Sequence, residues 1–108
     1  MKQKRQNIGE LEELILLVVG ILHESAYGIS VCEEVERQTG RVLTISAVHS
    51  VLHRLENKGL VSSTLGGETK ERGGRRKRFF KLTGSGKDVI TEIKQTREQL
   101  WNLIPGIS

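Results

Sequence analysis

Apolar residues recur along the chain first at helical spacing, then in the alternation of strands, and then at helical spacing again. The first predicted helix runs from Gly9 to Glu24, with Asn7 as its N-cap and Glu10 completing a capping box. Within it, Leu14–Leu22 is apolar almost all round, so the helix needs cover on more than one side. We expect it to pack on the core of its own chain and on a second subunit.

Two further helices have clear signals at both ends. One runs from Ser25, its predicted cap, to Gly40, and the next runs from Thr44, its predicted cap, to Gly59. In the later helix, apolar residues repeat at a spacing of about 3.6 and leave one face polar. The polar positions on and beside that face are Ser46, His49, Ser50, His53, Arg54 and Asn57. The face carries no acidic residue before Glu56.

The period changes after the third helix. The segment Leu60–Leu65 is rich in β-branched and hydroxyl residues, and alternation through Arg78, Phe80 and Leu82 indicates a second strand. We predict an antiparallel hairpin with a long, glycine-containing tip. Phe80 and Leu82 should hold the second strand on the helices, which places the cations before them toward the tip.

A last amphipathic helix is predicted from Gly86 to about Ile104, with Thr83 as its cap and Pro105 beyond its end. A single helix at the end of a chain must lay its apolar stripe on another surface. The chain is therefore expected to be mainly α with a small β-hairpin. We predict a winged helix-turn-helix over residues 1–83, with a loose N-terminal arm at 1–6, and a C-terminal dimerisation helix over 84–108.

The basic charge is concentrated in the predicted hairpin. The formal net charge is +4, yet between Lys70 and Lys81 only Glu71 opposes a cluster of cations. The cluster comprises Lys70, Arg72, Arg75, Arg76, Lys77, Arg78 and Lys81. Such a cluster also suits a solvated loop, but behind a helix with an acid-free polar face it favours nucleic acid. Its cations would neutralise phosphates, so affinity should fall steeply with salt.

The third helix is the expected recognition helix of such a fold. Ser46, Ser50 and His53 can donate or accept at base edges, and Arg54 can reach a phosphate or a guanine. A polar face is common to every amphipathic helix, so its acid-free start is what favours DNA. The chain has only four aromatic residues, which disfavours an RNA module that stacks bases.

Other classes of function lack their signatures. We find no nucleophile–base arrangement, no phosphate-binding loop and no dinucleotide motif, so an enzyme is not expected. His49 and His53 have a spacing that suits a metal, but no further ligand set completes the site, so we expect no metal or cofactor. The single Cys32 excludes an intrachain disulfide, and no apolar run is long enough to span a membrane. The expected location is the cytoplasm.

Three segments, AYGISVCEEVERQTG, LTISAVHSVLHRLENKGLV and GGRRKRFFKLTGSG, together resemble the PadR-like transcriptional regulators. The resemblance covers roughly Leu14 to Gly86. It implies a homodimeric repressor that binds a two-fold symmetric operator on double-stranded DNA. His49 stands where the family commonly has Tyr, and Ser50 or Ile45 where it often has Pro, so the preferred operator is expected to differ.

Motif and resemblance together give two sets of site residues. The predicted DNA-binding residues are Tyr27, Thr44, Ser46, Ala47, His49, Ser50, His53, Arg54, Gly74, Arg75, Arg76, Lys77 and Arg78. The predicted dimer-interface residues are Leu14, Leu17, Val18, Ile21, Val89, Ile93, Leu100, Trp101 and Ile104.

Two alternatives stay open at this point. Some small relatives bind flat apolar ligands between the halves of the dimer, so the chain could be a sensor for a small hydrophobic effector. Trp101 would then contact the ligand, although packing at the interface is the favoured role. The other alternative is a winged-helix adaptor whose cations meet an acidic protein surface.

Overall fold

Three helices, a two-stranded hairpin and a long final helix follow one another in the order that the sequence predicts. The computed structural model describes residues 7–66 and 76–107. The elements are α1 (Glu10–Leu22), α2 (Gly28–Thr39), α3 (Ile45–Asn57), β1 (Val61–Leu65), β2 (Arg78–Leu82) and α4 (Gly84–Asn102). The predicted fold class, mainly helical with one hairpin in a winged-helix arrangement, is confirmed.

The start of α1 differs from the prediction. Its N-cap is Gly9, and the Glu12 carboxylate accepts a hydrogen bond from the Gly9 N–H at 2.8 Å. The predicted capping box of Asn7 and Glu10 is therefore wrong. Glu12 takes the role instead because it is also held by Arg54 of α3 and by Lys58 directly after that helix, contacts that local sequence does not reveal. At the other end, α1 stops at Leu22.

The start of α2 also differs, and the reason is tertiary. Ser25 belongs to a short 3-10 turn, and the N-cap is Tyr27, whose N–H donates to Ser30 Oγ at 2.9 Å. Between them, the Ala26 carbonyl accepts from the Phe80 N–H at 2.8 Å. This bridge pairs Ala26 with β2 on the edge opposite to β1, and it holds the segment too extended for the helix to begin at Ser25.

Other predicted caps are confirmed. Thr44 Oγ1 accepts from the Ala47 N–H at 3.1 Å, and Thr83 Oγ1 accepts from the Gly86 N–H at 3.0 Å. The last helix nevertheless starts at Gly84 and ends at Asn102, slightly earlier at both ends than predicted. Such local hydrogen bonds fix where a helix begins.

The core lies where α1, α2, α3 and the base of the hairpin meet. Its largest fully buried side chains include Ile15, Leu16, Leu52, Leu55 and Leu60. The strands pair antiparallel, with Val61 opposite Leu82 and Leu65 opposite Arg78. Phe80 is 5% exposed and Leu82 packs against the core, as predicted, so the second strand is fixed to the helices.

Helix α4 contributes little to this core. Gly86 is its one fully buried residue, and a Cβ atom there would lie 2.1 Å from the Leu60 carbonyl oxygen. The Cα radius of gyration of 15.9 Å exceeds the roughly 13 Å expected for a compact chain of this length. In the outer part of α4, the apolar side chains Leu100 and Trp101 are more than half exposed.

Candidate nucleic-acid interface

The polar face of α3 is open to solvent. The apolar face of α3 is buried in the core through Val48, Val51, Leu52 and Leu55, so the opposite face of the helix is exposed. The exposed polar residues are Thr44, Ser46, His49, Ser50, His53, Arg54 and Asn57. Ala47 is half-buried.

One groove joins this face to the hairpin, which we call the wing. It has a volume of about 590 Å³ and is lined by His49, Ser50, His53, Glu56, Arg78 and Phe80. The recognition helix and the second strand of the wing therefore open onto a common space. This is the arrangement that the sequence predicts for a joint grip on DNA.

Arg78 enters the groove on a hydrogen-bonded support. Its Nη1 donates to Ser63 Oγ at 3.0 Å, and Ser63 Oγ donates to Glu56 Oε2 at 2.5 Å. The serine hydroxyl therefore stands between the guanidinium and the carboxylate. The hydrogen bond to Ser63 positions Arg78, which stays exposed, and the Glu56 carboxylate accepts its hydrogen bond from Ser63.

Two further cations lie along the wing. Arg76 is exposed and its Nε donates to the Gly66 carbonyl at 2.8 Å. Lys77 Nζ lies 4.3 Å from the centre of the Tyr27 ring, a cation–π distance. The wing thus presents cations at three successive positions ending in Arg78. Gly74 and Arg75 lie outside the described residues.

Tyr27 supports the wing from the start of α2. Its ring meets the Phe79 ring edge to face, with centres 5.5 Å apart, and Lys77 covers it from above. The side chain is half-buried. Tyr27, predicted as a DNA-binding residue, therefore holds the wing against α2.

Arg54 lies on the other flank of α3. Its Nε is 3.8 Å from Glu12 Oε2, on the side of α1 and away from the groove. Lys58 Nζ reaches both oxygens of the same carboxylate, at 3.0 and 2.9 Å. Burial acts to raise the pKa of Glu12, but the Gly9 N–H, Lys58 and Arg54 outweigh it and lower that pKa. The pairing of Glu12 with Lys58 was not predicted from the sequence; an acidic residue facing an apolar core was the available signal.

His49 packs on the start of α2. A Cβ atom at Gly28 would lie 2.8 Å from the His49 ring and 2.9 Å from Ile45 Cδ1, so the helices approach closely only because residue 28 is glycine. The Tyr-Gly pair thus has two structural roles. Tyr27 contacts the wing, and Gly28 allows α3 to pack closely against the start of α2.

The predicted dimer residues fall into three groups. One group is exposed by 42–58% and comprises Leu17, Ile21, Leu100, Trp101 and Ile104. A second group is half-buried and comprises Leu14, Val89 and Ile93. Val18 is only 2% exposed and belongs to the core of its own chain, so it is not available to a partner. An apolar groove between α1 and α4 has Leu17, Ile90 and Ile93 in its lining, and Arg97 pairs with Glu13 beside it at 2.8 Å.

Two classes of site do not occur in the described part of the chain. Residues 7–66 and 76–107 contain no group of three or more side chains placed to hold a metal ion. None of their helices has the length and apolar character that crossing a bilayer requires.

Comparison with known proteins identifies relatives of this architecture. The family model of the transcriptional regulator PadR-like family matches residues 15–92. No curated protein matches the sequence. A PadR-family transcription regulator from Clostridium difficile is 28% identical, with a TM-score of 0.68 over 85% of this chain and 91% of that one. A PadR-like transcription factor from Bacteroides fragilis is 23% identical, with a TM-score of 0.71 over 91% of this chain and 89% of that one.

Proposed function

The chain belongs to the PadR-like family of transcriptional regulators, and we propose that it is a homodimeric repressor that binds a specific, two-fold symmetric DNA duplex. The observation that carries the proposal is the common groove of α3 and the wing. Exposed hydrogen-bonding side chains line one wall, and Arg78 stands on the other. Membership makes the chain a DNA-binding regulator; repression, dimerisation and symmetry are the proposed part.

The proposed complex places the first turns of α3 in the major groove. Ser50 and His53 would meet base edges, since both are exposed and line the common groove. Arg76, Lys77 and Arg78 would meet phosphates beside it. This division assigns sequence preference to α3 and general affinity to the wing.

The dimer is proposed from the unpaired apolar surface of α1 and α4. The last turn of α4 and the C-cap residue after it expose Leu100 by 58%, Trp101 by 54% and Leu103 by 71%. Contiguous exposed apolar surface of this kind marks an interaction site. A second copy of α4, lying in the groove beside Leu17, would cover both surfaces at once.

A two-fold dimer of this kind makes a geometric requirement on the DNA. Two copies of α3 would enter successive major grooves on one face of the duplex, with half-site centres about 34 Å apart. The bound sequence should therefore be an inverted repeat with a period of roughly one helical turn.

Selection of bound sites from a random duplex pool tests the proposal. The expected result is an inverted repeat with that spacing, bound by the wild-type chain. Ser50→Ala and His53→Ala should then change the selected bases and leave the spacing unaltered. A pool with no enrichment, or with a single unpaired half-site, would contradict the proposal.

A specific observation favours a ligand-responsive version of the same function. The groove between α1 and α4 is mainly apolar, and the exposed Trp101 lies on the same helix. A flat hydrophobic effector held between two such surfaces would alter the dimer and lower its affinity for DNA. Titration of planar apolar compounds against Trp101 fluorescence tests this, and an unchanged emission would contradict it.

A further inference from the structure

The start of the recognition helix lacks charge. The first two turns, Ile45–Leu52, contain no Lys, Arg, Asp or Glu. The bidentate contacts by which Arg or Lys selects guanine therefore cannot come from these turns. Their exposed hydroxyls, Ser46 and Ser50, both donate and accept, so they suit several bases. An apolar contact is a further chemistry by which these turns can discriminate between bases, beside the hydrogen bonds that His49 and Ser50 can make.

Ile45 offers that chemistry. It is the first residue of α3 after the Thr44 cap, and 42% of it is exposed. Its inner side is held in place, since a Cβ atom at Gly28 would lie 2.9 Å from Ile45 Cδ1 and 2.8 Å from the neighbouring His49 ring. An apolar group is thus fixed on one side and open on the other, at the end of α3 that would enter the DNA.

We infer that Ile45 is a specificity-determining residue that contacts the methyl group of a thymine in the major groove. The inference rests on the proposed DNA-binding function and adds the base that is read. The thymine methyl is the apolar group that base pairs present in that groove. Each half-site should therefore contain a thymine where the first turn of α3 meets the bases.

Replacing thymine by deoxyuridine tests this from the DNA side. The replacement keeps base pairing and removes only the methyl group, and the protein is the unchanged full chain. In each half-site of a selected duplex, there should be one thymine whose replacement by deoxyuridine weakens binding about fourfold. Replacement in both half-sites should weaken binding by roughly 15-fold.

The matching protein variant is Ile45→Ala. It should bind the thymine and deoxyuridine duplexes equally, at the weaker affinity. Ile29→Ala removes a similar side chain, 56% exposed, from the first turn of α2, and it should retain the preference for thymine. Circular dichroism of each variant establishes whether it is folded. The deoxyuridine measurement uses the wild-type protein, so it tests the inference even if Ile45→Ala does not fold.

The outcomes separate the two proposals. If no duplex is selected at all, the proposed function fails and this inference fails with it. If a duplex is selected but no thymine replacement weakens binding, the inference alone is overturned. It is also overturned if Ile45→Ala is folded and keeps the preference for thymine.

Discussion

Lys58 Nζ donates hydrogen bonds to both carboxylate oxygens of Glu12, at 3.0 and 2.9 Å. The contact joins the first turn of α1 to the residue that follows the last turn of α3. The Glu12 side chain is only 10% exposed. An ion pair so little exposed depends on both partners, because removing one leaves the other without compensation.

We expect Glu12→Gln to lower the free energy of unfolding by about 2–3 kcal/mol, the loss typical of a hydrogen-bonded charge away from solvent. Urea unfolding measures it. Glu10→Gln is the matched control, since Glu10 pairs with Arg41 at 2.8 Å but is 72% exposed. Surface pairs contribute little, so the control should stay within about 0.5 kcal/mol of wild type. Equal losses in the two variants would contradict the assigned role of Glu12.

The same carboxylate should make stability depend on acid. The pKa of Glu12 is lowered from its usual 4.5, since the Gly9 N–H and the Lys58 and Arg54 cations outweigh the effect of burial. A carboxylate whose pKa is lowered by folding stabilises the folded protein at any pH above the pKa of the unfolded chain. That stabilisation is lost as the pH falls through the pKa of the folded chain. The difference in unfolding free energy between wild type and Glu12→Gln should therefore be largest at neutral pH and should shrink as the pH falls from there to below 4.5. A constant difference over that range would contradict it.

For the wing, Arg76→Ala should weaken binding to all duplexes by a similar factor. Arg76 is exposed, and its Nε donates to the Gly66 carbonyl, so it is held on the wing. Loss of one phosphate contact should lower the slope of log affinity against log salt by about one for each site lost. Filter binding at several salt concentrations measures it. Arg41→Ala, on the α1 side of the chain, should leave the slope unchanged, and an equal effect there would contradict the assignment.

For the dimer, Leu100→Glu should weaken self-association by about tenfold or more, because it places a charge in an apolar interface. Sedimentation equilibrium measures the change. Gln95→Glu is the matched control, since helical geometry places Gln95 on the side of α4 opposite to Ile93 and Leu100. A monomeric wild-type protein, or an equal loss in both variants, would contradict the proposed interface.

The elements that sequence analysis located correctly are those fixed by local chemistry. Thr44 and Thr83 cap helices through hydrogen bonds to residues three positions on, so the signal and the structure lie in the same short segment. The burial of Phe80 follows in the same way from the alternation of its strand. The order of the elements, the two threonine caps and the side of the wing that faces the core were therefore predictable.

The errors in the predicted helix starts arise where contacts between residues far apart in the sequence determine the local structure. Ser25 has the chemistry of a cap, but pairing of Ala26 with Phe80 moves the start of α2 to Tyr27. The position of Arg54 on the flank of α3 is likewise influenced by a distant residue, Glu12, and its predicted contact with DNA stays a prediction. No local pattern contains either contact, because each joins segments that are adjacent only after folding.

The close approach of α2 and α3 yields a last prediction, on Gly28 and His49. A methyl group at residue 28 would lie 2.8 Å from the His49 ring and 2.9 Å from Ile45 Cδ1, so the ends of both side chains would have to shift, while the buried residues of α3 hold the helix itself in place. We expect Gly28→Ala to lower the unfolding free energy by about 1 kcal/mol, the lower end of the cost of overpacking, because the atoms that must move are the ends of side chains.

Combining Gly28→Ala with His49→Ala should restore part of that loss, because the smaller side chain makes room for the methyl group. Recovery should be incomplete, since Ile45 Cδ1 lies 2.9 Å from the same point. Gly84→Ala is the matched control; a Cβ there meets nothing within 4 Å, so its stability should be unchanged or slightly raised. Thermal or urea unfolding of Gly28→Ala, His49→Ala, the double variant and Gly84→Ala measures the coupling. If Gly28→Ala were as harmless as Gly84→Ala, or if the two losses simply added, contact between Gly28 and His49 would not be what requires glycine at this position.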